Sequence, residues 1–320
     1  MSAARHAALV ALLAVAIDIA FGDPPNRVHP VAWCGRLLAA GRALLCHGGP
    51  VRLLVSGAAL TLAVIAIAGW AGELVTTLAA RLGPAGLVLE AVVLKTTISL
   101  RGLAAAARSV AVALGDDDLE QARERLGWHL VSRPTAQLDA GQVASGAVES
   151  VAENLTDAFV APVALFLVFG LPGALAYRAL NTADTMLGYR DGALEYFGKV
   201  AARLDDAVNF VPARLAALAI VLASGASTVA AWSAMARDHA LTASPNAGWT
   251  MAAMAGALGV TLQKPGAYRL GHGPMPATVD IERSIRLAAR AAALALLGLM
   301  ALRMMLEKSR PDSILAVLSS

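Results

Sequence analysis

Residues 53–72 of the chain read LLVSGAALTLAVIAIAGWAG, a run without ionisable side chains between Arg52 and Glu73. At about 1.5 Å per residue, a helix of this length crosses the roughly 30 Å hydrocarbon core of a bilayer. The whole chain has the same character, since 58% of its 320 residues are hydrophobic, only 15% are charged, and the mean hydropathy is +0.63. This composition argues against a soluble globular protein, a disordered protein, a collagen-like protein and a small disulfide-rich protein.

Further apolar stretches predict an all-α, polytopic integral membrane protein with about four to six membrane-embedded helical segments and cytoplasmic polar connecting segments. One stretch contains Pro162 and is interrupted by GLPG at 170–173, so we expect two half-spans joined as a re-entrant hairpin whose backbone is covered by protein. Residues 1–320 are expected to form a single membrane-embedded domain. The predicted segments are residues 7–21, 53–72, 84–100, 158–177, 215–236 and 287–306.

The distribution of charged residues predicts which side of the membrane the connecting segments face. Basic and acidic residues nearly balance, 26 against 23, which argues against nucleic acid as a partner. Between the first two predicted spans lie Arg27, Arg36, Arg42 and Arg52, opposed by Asp23 alone. This excess of arginine predicts that the connection faces the cytoplasm.

Three carboxylates recur at helical spacing just before the predicted hairpin. Glu149, Glu153 and Asp157 lie at i, i+4 and i+8, which places them on one face of a helix. Like charges in such a row repel each other unless a cation or a basic partner lies among them. A solvated acidic face is the alternative, but the hydrophobic segment that begins at Ala158 favours a functional site.

A second group of carboxylates and amides follows the predicted hairpin. Hard oxygen ligands such as these suit Mg²⁺, which usually binds through one or two carboxylates together with substrate phosphates. Arginines, whose guanidinium groups favour phosphate oxygens, are interleaved with them, although each arginine alone could be a lipid anchor. The sequence therefore predicts a phosphate-and-metal site, and it contains no P-loop, dinucleotide fingerprint, nucleophile elbow or zinc spacing. The residues of this group are Asn181, Asp184, Arg190, Arg203, Asp205, Asp206, Asn209 and Arg214.

Short motifs occur along the chain in this order: Asp23-Pro24, His29-Pro30-Val31, Gly35-Arg36-Leu37, Ala147-Val148-Glu149-Ser150-Val151-Ala152-Glu153-Asn154, Tyr177-Arg178-Ala179-Leu180-Asn181-Thr182-Ala183-Asp184, Gly188-Tyr189-Arg190, Ala202-Arg203-Leu204-Asp205-Asp206, Pro212-Ala213-Arg214, Ser244-Pro245-Asn246-Ala247-Gly248-Trp249 and Asp280-Ile281. In this combination they resemble the adenosylcobinamide-phosphate synthase (CobD/CbiB) family of cobalamin biosynthesis. The resemblance extends over residues 15–285. The combination is specific, although no single motif is.

The resemblance implies a multi-pass enzyme of the cell membrane whose active site faces the cytoplasm. Members of the family join the propionate carboxylate of adenosylcobyric acid to (R)-1-amino-2-propanol O-2-phosphate, with ATP as co-substrate and Mg²⁺, and form adenosylcobinamide phosphate. The expected partners are these two substrates and the lipid bilayer, and association with other membrane enzymes of nucleotide-loop assembly stays open.

The resemblance also implies roles for individual residues. Catalysis is expected of Glu149, Glu153, Asp184 and Asp205, and which carboxylate is the base stays open. The expected Mg²⁺ ligands are Asp157, Asp205, Asp206 and Asn209. The residues expected to bind substrates and phosphates are His29, Asn154, Asn181, Arg190, Arg203, Arg214 and Asn246.

Two motifs depart from the family pattern. Where the family commonly has Gly-Arg-Asp-Thr, this chain has Ser132-Arg133-Pro134-Thr135, and the Gly-rich segment with paired tyrosines is QKPGAY at residues 263–268. We expect both departures to lie outside the acidic groups and to affect substrate detail rather than the reaction.

Two other functional classes are alternatives. A membrane prenyl- or phosphatidyl-transferase would also use an Asp-rich Mg²⁺ site, but with paired motifs and a lipid diphosphate. A transporter would be expected to show inverted repeats and charged residues deep within its helices, whereas the acidic clusters here are expected in connecting segments.

Overall fold

The computed structural model describes residues 2–309 and is 79% helical, with two short strands. The predicted all-α class is therefore confirmed. The strands β1 (Leu262–Lys264) and β2 (Tyr268–Leu270) form an antiparallel hairpin. The helices are α1 (Ala3–Phe21), α2 (Pro30–Leu45), α3 (Pro50–Arg81), α4 (Pro84–Lys95), α5 (Leu100–Gly115), α6 (Leu119–His129), α7 (Ala140–Leu155), α8 (Ala161–Leu187), α9 (Leu194–Phe197), α10 (Lys199–Val208), α11 (Phe210–Ala223), α12 (Thr228–Asp238), α13 (Ala247–Leu258) and α14 (Thr278–Lys308).

Four helical stretches of the described chain are long and apolar enough to cross a membrane, namely Ala3–Phe21, Pro50–Arg81, Ala140–Leu187 and Thr278–Lys308. The pair α10 and α11, bent by 48°, would make a fifth. Helix α3 also exposes a row of large apolar side chains, as a lipid-facing helix does. These side chains are Val55, Leu62, Ile67, Trp70 and Leu74. The prediction of a polytopic membrane protein is confirmed.

The stretch Ala140–Leu187 is not one straight rod. Gly170 has a φ of 69° and a ψ of −163°, which lie outside the helical region, and Pro172 follows it. The hydroxyl of Tyr177 lies 3.4 Å from Oδ1 of Asp157, whereas a straight helix would separate residues twenty apart by about 30 Å. The chain therefore reverses at Gly170 and forms a helical hairpin, whose placement in a bilayer stays a prediction.

Two of the predicted segments are interrupted rather than continuous helices. Residues 84–100 divide after Lys95, where the hydroxyls of Thr96 and Thr97 each donate to a backbone carbonyl at 2.7 Å. Residues 215–236 divide at Gly225, which has a φ of 57°. The hydroxyl of Ser224 donates to the carbonyl of Ile220 at 2.6 Å beside this break. Hydroxyl groups compete for the backbone in this way and favour helix breaks.

The start of α5 is capped by the buried side chain of Asp18 of α1. Oδ2 of Asp18 accepts the backbone N–H groups of Leu100 and Arg101 at 3.0 and 3.1 Å. Oδ1 of Asp18 lies 3.1 Å from Nζ of Lys95, and both side chains are almost completely buried. This arrangement satisfies two of the free N–H groups at the start of the helix.

Helix α3 packs through glycines against the second arm of the hairpin and against α9. A Cβ atom added at Gly72 would lie 2.6 Å from the backbone nitrogen of Pro172, and one added at Gly57 would collide with the carbonyl of Phe197 in α9. Because Gly72 opposes the start of the arm, whereas Gly57 opposes α9, which packs at Gly198 on the last residue of the arm, α3 and this arm run antiparallel. The end of α3 near Pro50 therefore lies on the same side as the open end of the hairpin.

This close approach makes Gly57 sensitive to substitution. We expect Gly57→Ala to destabilise the protein by about 1–3 kcal/mol, because overpacking forces the backbones of α3 and α9 apart. Gly298→Ala is the matched control, since no atom lies within 4 Å of the position that its Cβ would take. Thermal unfolding in detergent measures both. Wild-type stability of Gly57→Ala would contradict the packing described.

Candidate functional site

A change of helical geometry separates Asp157 from the two carboxylates of α7. Helix α7 ends at Leu155 and is followed by a π-helical turn, Thr156–Val160, which contains Asp157. A π turn adds a residue per turn and changes the direction in which later side chains point. Glu149 and Glu153 keep the predicted i, i+4 spacing on α7. Glu153 and Asp157 line the same cavities, as shown below, whereas Glu149 lines neither of them.

The second arm of the hairpin places polar side chains beside Asp157. The hydroxyl of Tyr177 lies 3.0 Å from Oδ1 of Asn209, in addition to its approach to Asp157. Asn181, one turn further along the same arm, donates from Nδ2 to Oδ1 of Asp205 at 3.5 Å. Hydrogen bonds thus connect the hairpin to α10 and to the residue that follows it.

The carboxylate of Asp205 accepts hydrogen bonds from two side-chain amides, those of Asn181 and Asn209. Nδ2 of Asn209 donates to Oδ2 of Asp205 at 2.9 Å, so both carboxylate oxygens have an amide partner. Arg178 donates from Nη1 to Oδ1 of Asn181 at 3.2 Å, which orients the amide so that its NH₂ group faces Asp205. These contacts fix the position of the Asp205 side chain.

The loop before α13 contributes Asn246. Its Nδ2 donates to the backbone carbonyl of Asp206 at 2.8 Å, and its Oδ1 accepts from Nη1 of Arg214 at 3.1 Å. The guanidinium of Arg214 also lies over the rings of Phe210 and Trp249, at 3.6 and 4.7 Å from their centroids. Arg214, expected to bind phosphate, therefore holds the loop against α11 in this structure.

Two cavities meet at this acidic cluster. The smaller, of about 40 Å³, has room for an ion or a few waters. The larger, of about 520 Å³, has the size of a site for an organic ligand. Glu153 and Asp157 are the two residues that line both cavities. The other polar residues of the smaller cavity are Thr156, Asp205, Asp206, Asn209, Ser244, Asn246 and Thr250, and those of the larger include His129, Asn154, Asn181, Asp184, Thr185 and Tyr189.

The smaller cavity has the chemistry of a cation site. Its lining is made mainly of carboxylate, amide and hydroxyl side chains, whose oxygens can bind a cation, and the buried Oγ1 of Thr156 has no hydrogen-bond partner within residues 2–309. A buried polar atom of this kind indicates an absent ligand or water. No three His, Cys, Asp or Glu side chains of the described chain are arranged as a ready-made metal site. Mg²⁺ suits such a cavity, because substrate phosphates usually complete its coordination.

Two predicted arginines lie near the cluster at its surface. Arg190 and Arg203 are both exposed, and their charges act on the carboxylate of Asp206. An exposed guanidinium can move to meet a phosphate, whereas one held in the interior cannot. Their position is consistent with the expected phosphate-binding role, which stays a prediction.

Glu149 lies apart from both cavities. Its carboxylate accepts from Ser145 at 2.7 Å, from Tyr268 at 2.9 Å and from Nη2 of Arg133 at 3.2 Å. Only 4% of Glu149 is exposed. Burial together with the charge and hydrogen bond of Glu149 raises the pKa of the Tyr268 hydroxyl well above its usual range, so that Tyr268 remains a donor.

This environment corrects the expectation about the two departures from the family pattern. We expected residues 132–135 and 263–268 to lie outside the acidic groups. Instead Arg133 and Tyr268, one from each departure, both bind the carboxylate of Glu149. The β-hairpin is held to the same point, because the backbone N–H of Gln263 donates to Oγ of Ser145 at 2.7 Å.

His29 also lies away from the acidic cluster. Its Nδ1 accepts the N–H of Val31 at the start of α2, and its Nε2 lies 3.7 Å from Oδ1 of Asp23. Burial alone would raise the pKa of Asp23, but hydrogen bonds from His29, Lys95 and Ser99 outweigh it and hold the pKa well below its usual range. The contacts of His29 thus stabilise the connection between α1 and α2.

Sequence reasoning missed several residues of the site. Tyr177 and Arg178 lay within a quoted motif but were given no role, and Thr156 and Thr250 carry no recognisable signal. Trp128, at the rim of the larger cavity, comes from α6, which was not connected with the site. The acidic residues were expected in connecting segments, yet Glu153, Asp184 and Asp205 lie on helices, and Asp157 lies in the π-helical turn.

The comparisons with known proteins give the family. The profile described as CobD/Cbib protein matches residues 11–300 of the chain. The protein belongs to the CobD/CbiB family. It is 44% identical to the cobalamin biosynthesis protein CobD of Dehalococcoides mccartyi over 84% of this chain and 88% of that relative.

Other members of the CobD/CbiB family match over similar lengths. Identity is 40% to CobD of Brucella suis biovar 1, over 83% of this chain and 85% of the relative. The chain is 36% identical to CbiB of Salmonella typhi, over 89% of this chain and 93% of the relative. No solved structure matches the chain.

The different environments of Glu149 and Glu153 lead to a prediction. Glu149→Gln removes the charge that Arg133 faces, so we expect a loss of about 1.5–3 kcal/mol of stability. Glu153 has no hydrogen bond or ion pair with residues 2–309 and lies among other carboxylates, so Glu153→Gln should leave stability equal to or above that of the wild type. Thermal unfolding of the two variants in detergent checks this. Equal destabilisation of both would contradict the separation of the two carboxylates.

Proposed function

We propose that this member of the CobD/CbiB family is a membrane enzyme of cobalamin biosynthesis that forms an amide bond. It would join adenosylcobyric acid to (R)-1-amino-2-propanol O-2-phosphate, with ATP and Mg²⁺, to give adenosylcobinamide phosphate. Family membership supports the pathway. The observation that carries the reaction is the meeting of two cavities at Glu153 and Asp157. An enzyme that joins two molecules must hold their reacting groups close together. Groups bound in the two cavities would come together at Glu153 and Asp157, which line both.

The proposed reaction needs an activated carboxylate. An oxygen of the substrate propionate attacks the γ-phosphorus of ATP, and the bond from this phosphorus to the oxygen that bridges it to the β-phosphorus breaks. The products of this step are ADP and an acyl phosphate on the corrinoid. The substrate amine then attacks the acyl carbon, inorganic phosphate leaves with the bonding electrons, and the nitrogen loses a proton. Positioning and electrostatic stabilisation supply most of the acceleration in phosphoryl transfer.

The charges around the cavities suit these needs. Arg190 and Arg203, exposed beside Asp206, would neutralise phosphate oxygens at the rim. Asp157, Asp205, Asp206 and Asn209 would hold Mg²⁺, which supplies charge neutralisation for the transferring phosphoryl group when bound. The amide partners of Asp205 keep its oxygens in place for this role.

Glu153 is the best placed carboxylate to accept the proton of the amine. The carboxylates of Asp157 and Asp205 lie close to hydrogen-bond donors within the protein, whereas that of Glu153 has no such partner within residues 2–309. Glu153 also faces both cavities. A carboxylate that is free to meet the substrate can act as a general base, provided that it reaches the proton.

The orientation follows from the packing of α3. The arginine-rich connection ends at Arg52 on α3, and Gly57 of the same helix packs on Phe197, close to the open end of the hairpin. The positive-inside rule assigns the arginine-rich end to the cytoplasm. We propose that the acidic site opens to the cytoplasm for this reason.

The reaction is tested with purified protein, adenosylcobyric acid, aminopropanol phosphate, ATP and Mg²⁺, and the corrinoid product is read by mass. We expect Glu153→Gln to lower kcat at least about 100-fold, as expected for a lost general base. Asp205→Asn should also abolish most activity. Glu282→Gln is the control, because Glu282 pairs with Arg108 on an exposed surface.

Two outcomes would contradict the proposal. One is the absence of corrinoid product with the complete mixture, and turnover of a lipid diphosphate instead would favour the transferase. The other is an unchanged kcat in Glu153→Gln, which would remove the base assigned here.

A further inference from the structure

The larger cavity carries an inference beyond the identity of the reaction. Two aromatic side chains from different parts of the chain line this cavity, Trp128 at the end of α6 and Tyr189 after α8. Trp128 is 81% exposed and Tyr189 is 42% exposed. Large exposed aromatic side chains beside a cavity are typical of ligand or partner contact rather than of folding.

Trp128 lies on a polar helix rather than on a candidate span. Helix α6 reads LEQARERLGWH, whose charged residues make it one of the polar helices of the chain. It is not among the helices of the described chain that are long and apolar enough to cross a membrane. Covering the exposed indole with a ligand would bury a large apolar surface.

The two cavities differ in what they can admit. The smaller, of about 40 Å³, accepts an ion or a small polar group. The larger, of about 520 Å³, accepts a side arm of a corrinoid but not the whole macrocycle, which must therefore remain at the rim. The amides of Asn154 and Asn181 line this cavity and are suited to the amide side arms of a corrinoid.

We propose that the larger cavity is the corrinoid subsite, in which Trp128 and Tyr189 hold the macrocycle at its edge while its propionate arm reaches Glu153 and Asp157. The phosphorylated amine then approaches from the side of the smaller cavity, where Mg²⁺ would be held, and its nitrogen meets the propionate at the same two carboxylates. This assignment rests on the proposed function, since it needs both substrates. It makes Trp128 a residue that determines affinity for the corrinoid.

The test is the separation of two Michaelis constants in the full-length protein. Trp128→Ala should raise the KM for adenosylcobyric acid about five- to tenfold, through lost aromatic contact. The KM for aminopropanol phosphate should stay within about twofold, and Trp128→Phe should restore most of the affinity. Trp70→Ala is the matched control, because Trp70 is 68% exposed on α3 and lines neither cavity.

A binding measurement separates this proposal from the proposed function. Equilibrium binding of adenosylcobyric acid, without ATP or amine, should be weakened by Trp128→Ala and unchanged by Trp70→Ala. If the wild type forms product and Trp128→Ala binds the corrinoid normally, the subsite assignment is wrong while the function stands. If Trp128→Ala raises the KM of the amine instead, the cavities are assigned the wrong way round. A wild type that neither binds the corrinoid nor forms product overturns both.

Discussion

The backbone of Gly170 turns the chain back on itself, and the acidic site depends on that reversal. Because the two arms of the hairpin lie side by side, Asp157 before the turn meets Tyr177 and Asn181 after it. A straight helix would place them at opposite ends of a span. The reversal leaves polar backbone that must be covered by protein in an apolar environment. Helix α3 packs against the chain directly after the turn, where Gly72 permits its close approach to Pro172.

Gathering carboxylates in such an apolar protein is costly, and the surrounding residues show how the cost is offset. Amide and hydroxyl donors from Asn181, Asn209 and Tyr177 lie against the acids, while Arg190 and Arg203 supply positive charge near Asp206. Under the proposed function, a bound cation would relieve the repulsion among these carboxylates, so the feature that is unfavourable in the resting protein would favour binding of the metal. In contrast, Glu149 is fully satisfied within the protein and serves to hold the β-hairpin and the loop of Arg133 on α7.

Much of the fold could be predicted because it depends on local sequence. The run in α3 is long and uncharged enough to indicate a span by itself, and the GLPG sequence indicates a turn. The breaks at Lys95 and Gly225 were harder, since they depend on a cap from Asp18 and on hydroxyl contacts. The candidate site could be predicted in part because charged residues are scarce in this apolar chain. Clusters of carboxylates therefore indicated Glu153, Asp157 and Asp205. The separate environment of Glu149 could not be predicted, because its partners Arg133 and Tyr268 lie 16 and 119 residues away in the sequence.

The most direct test of the account asks whether residues before and after the hairpin reach the same aqueous compartment. Cys34 and Cys46 are replaced by serine, and single cysteines are introduced at Ser132 and Thr185, which are exposed and line the larger cavity. Ala85, just beyond the far end of α3, provides a reference for the opposite side. In sealed membrane vesicles of known orientation, an impermeant thiol reagent should label the cysteines at 132 and 185 from one side and that at 85 from the other. Labelling of 132 and 185 from opposite sides would contradict the shared site.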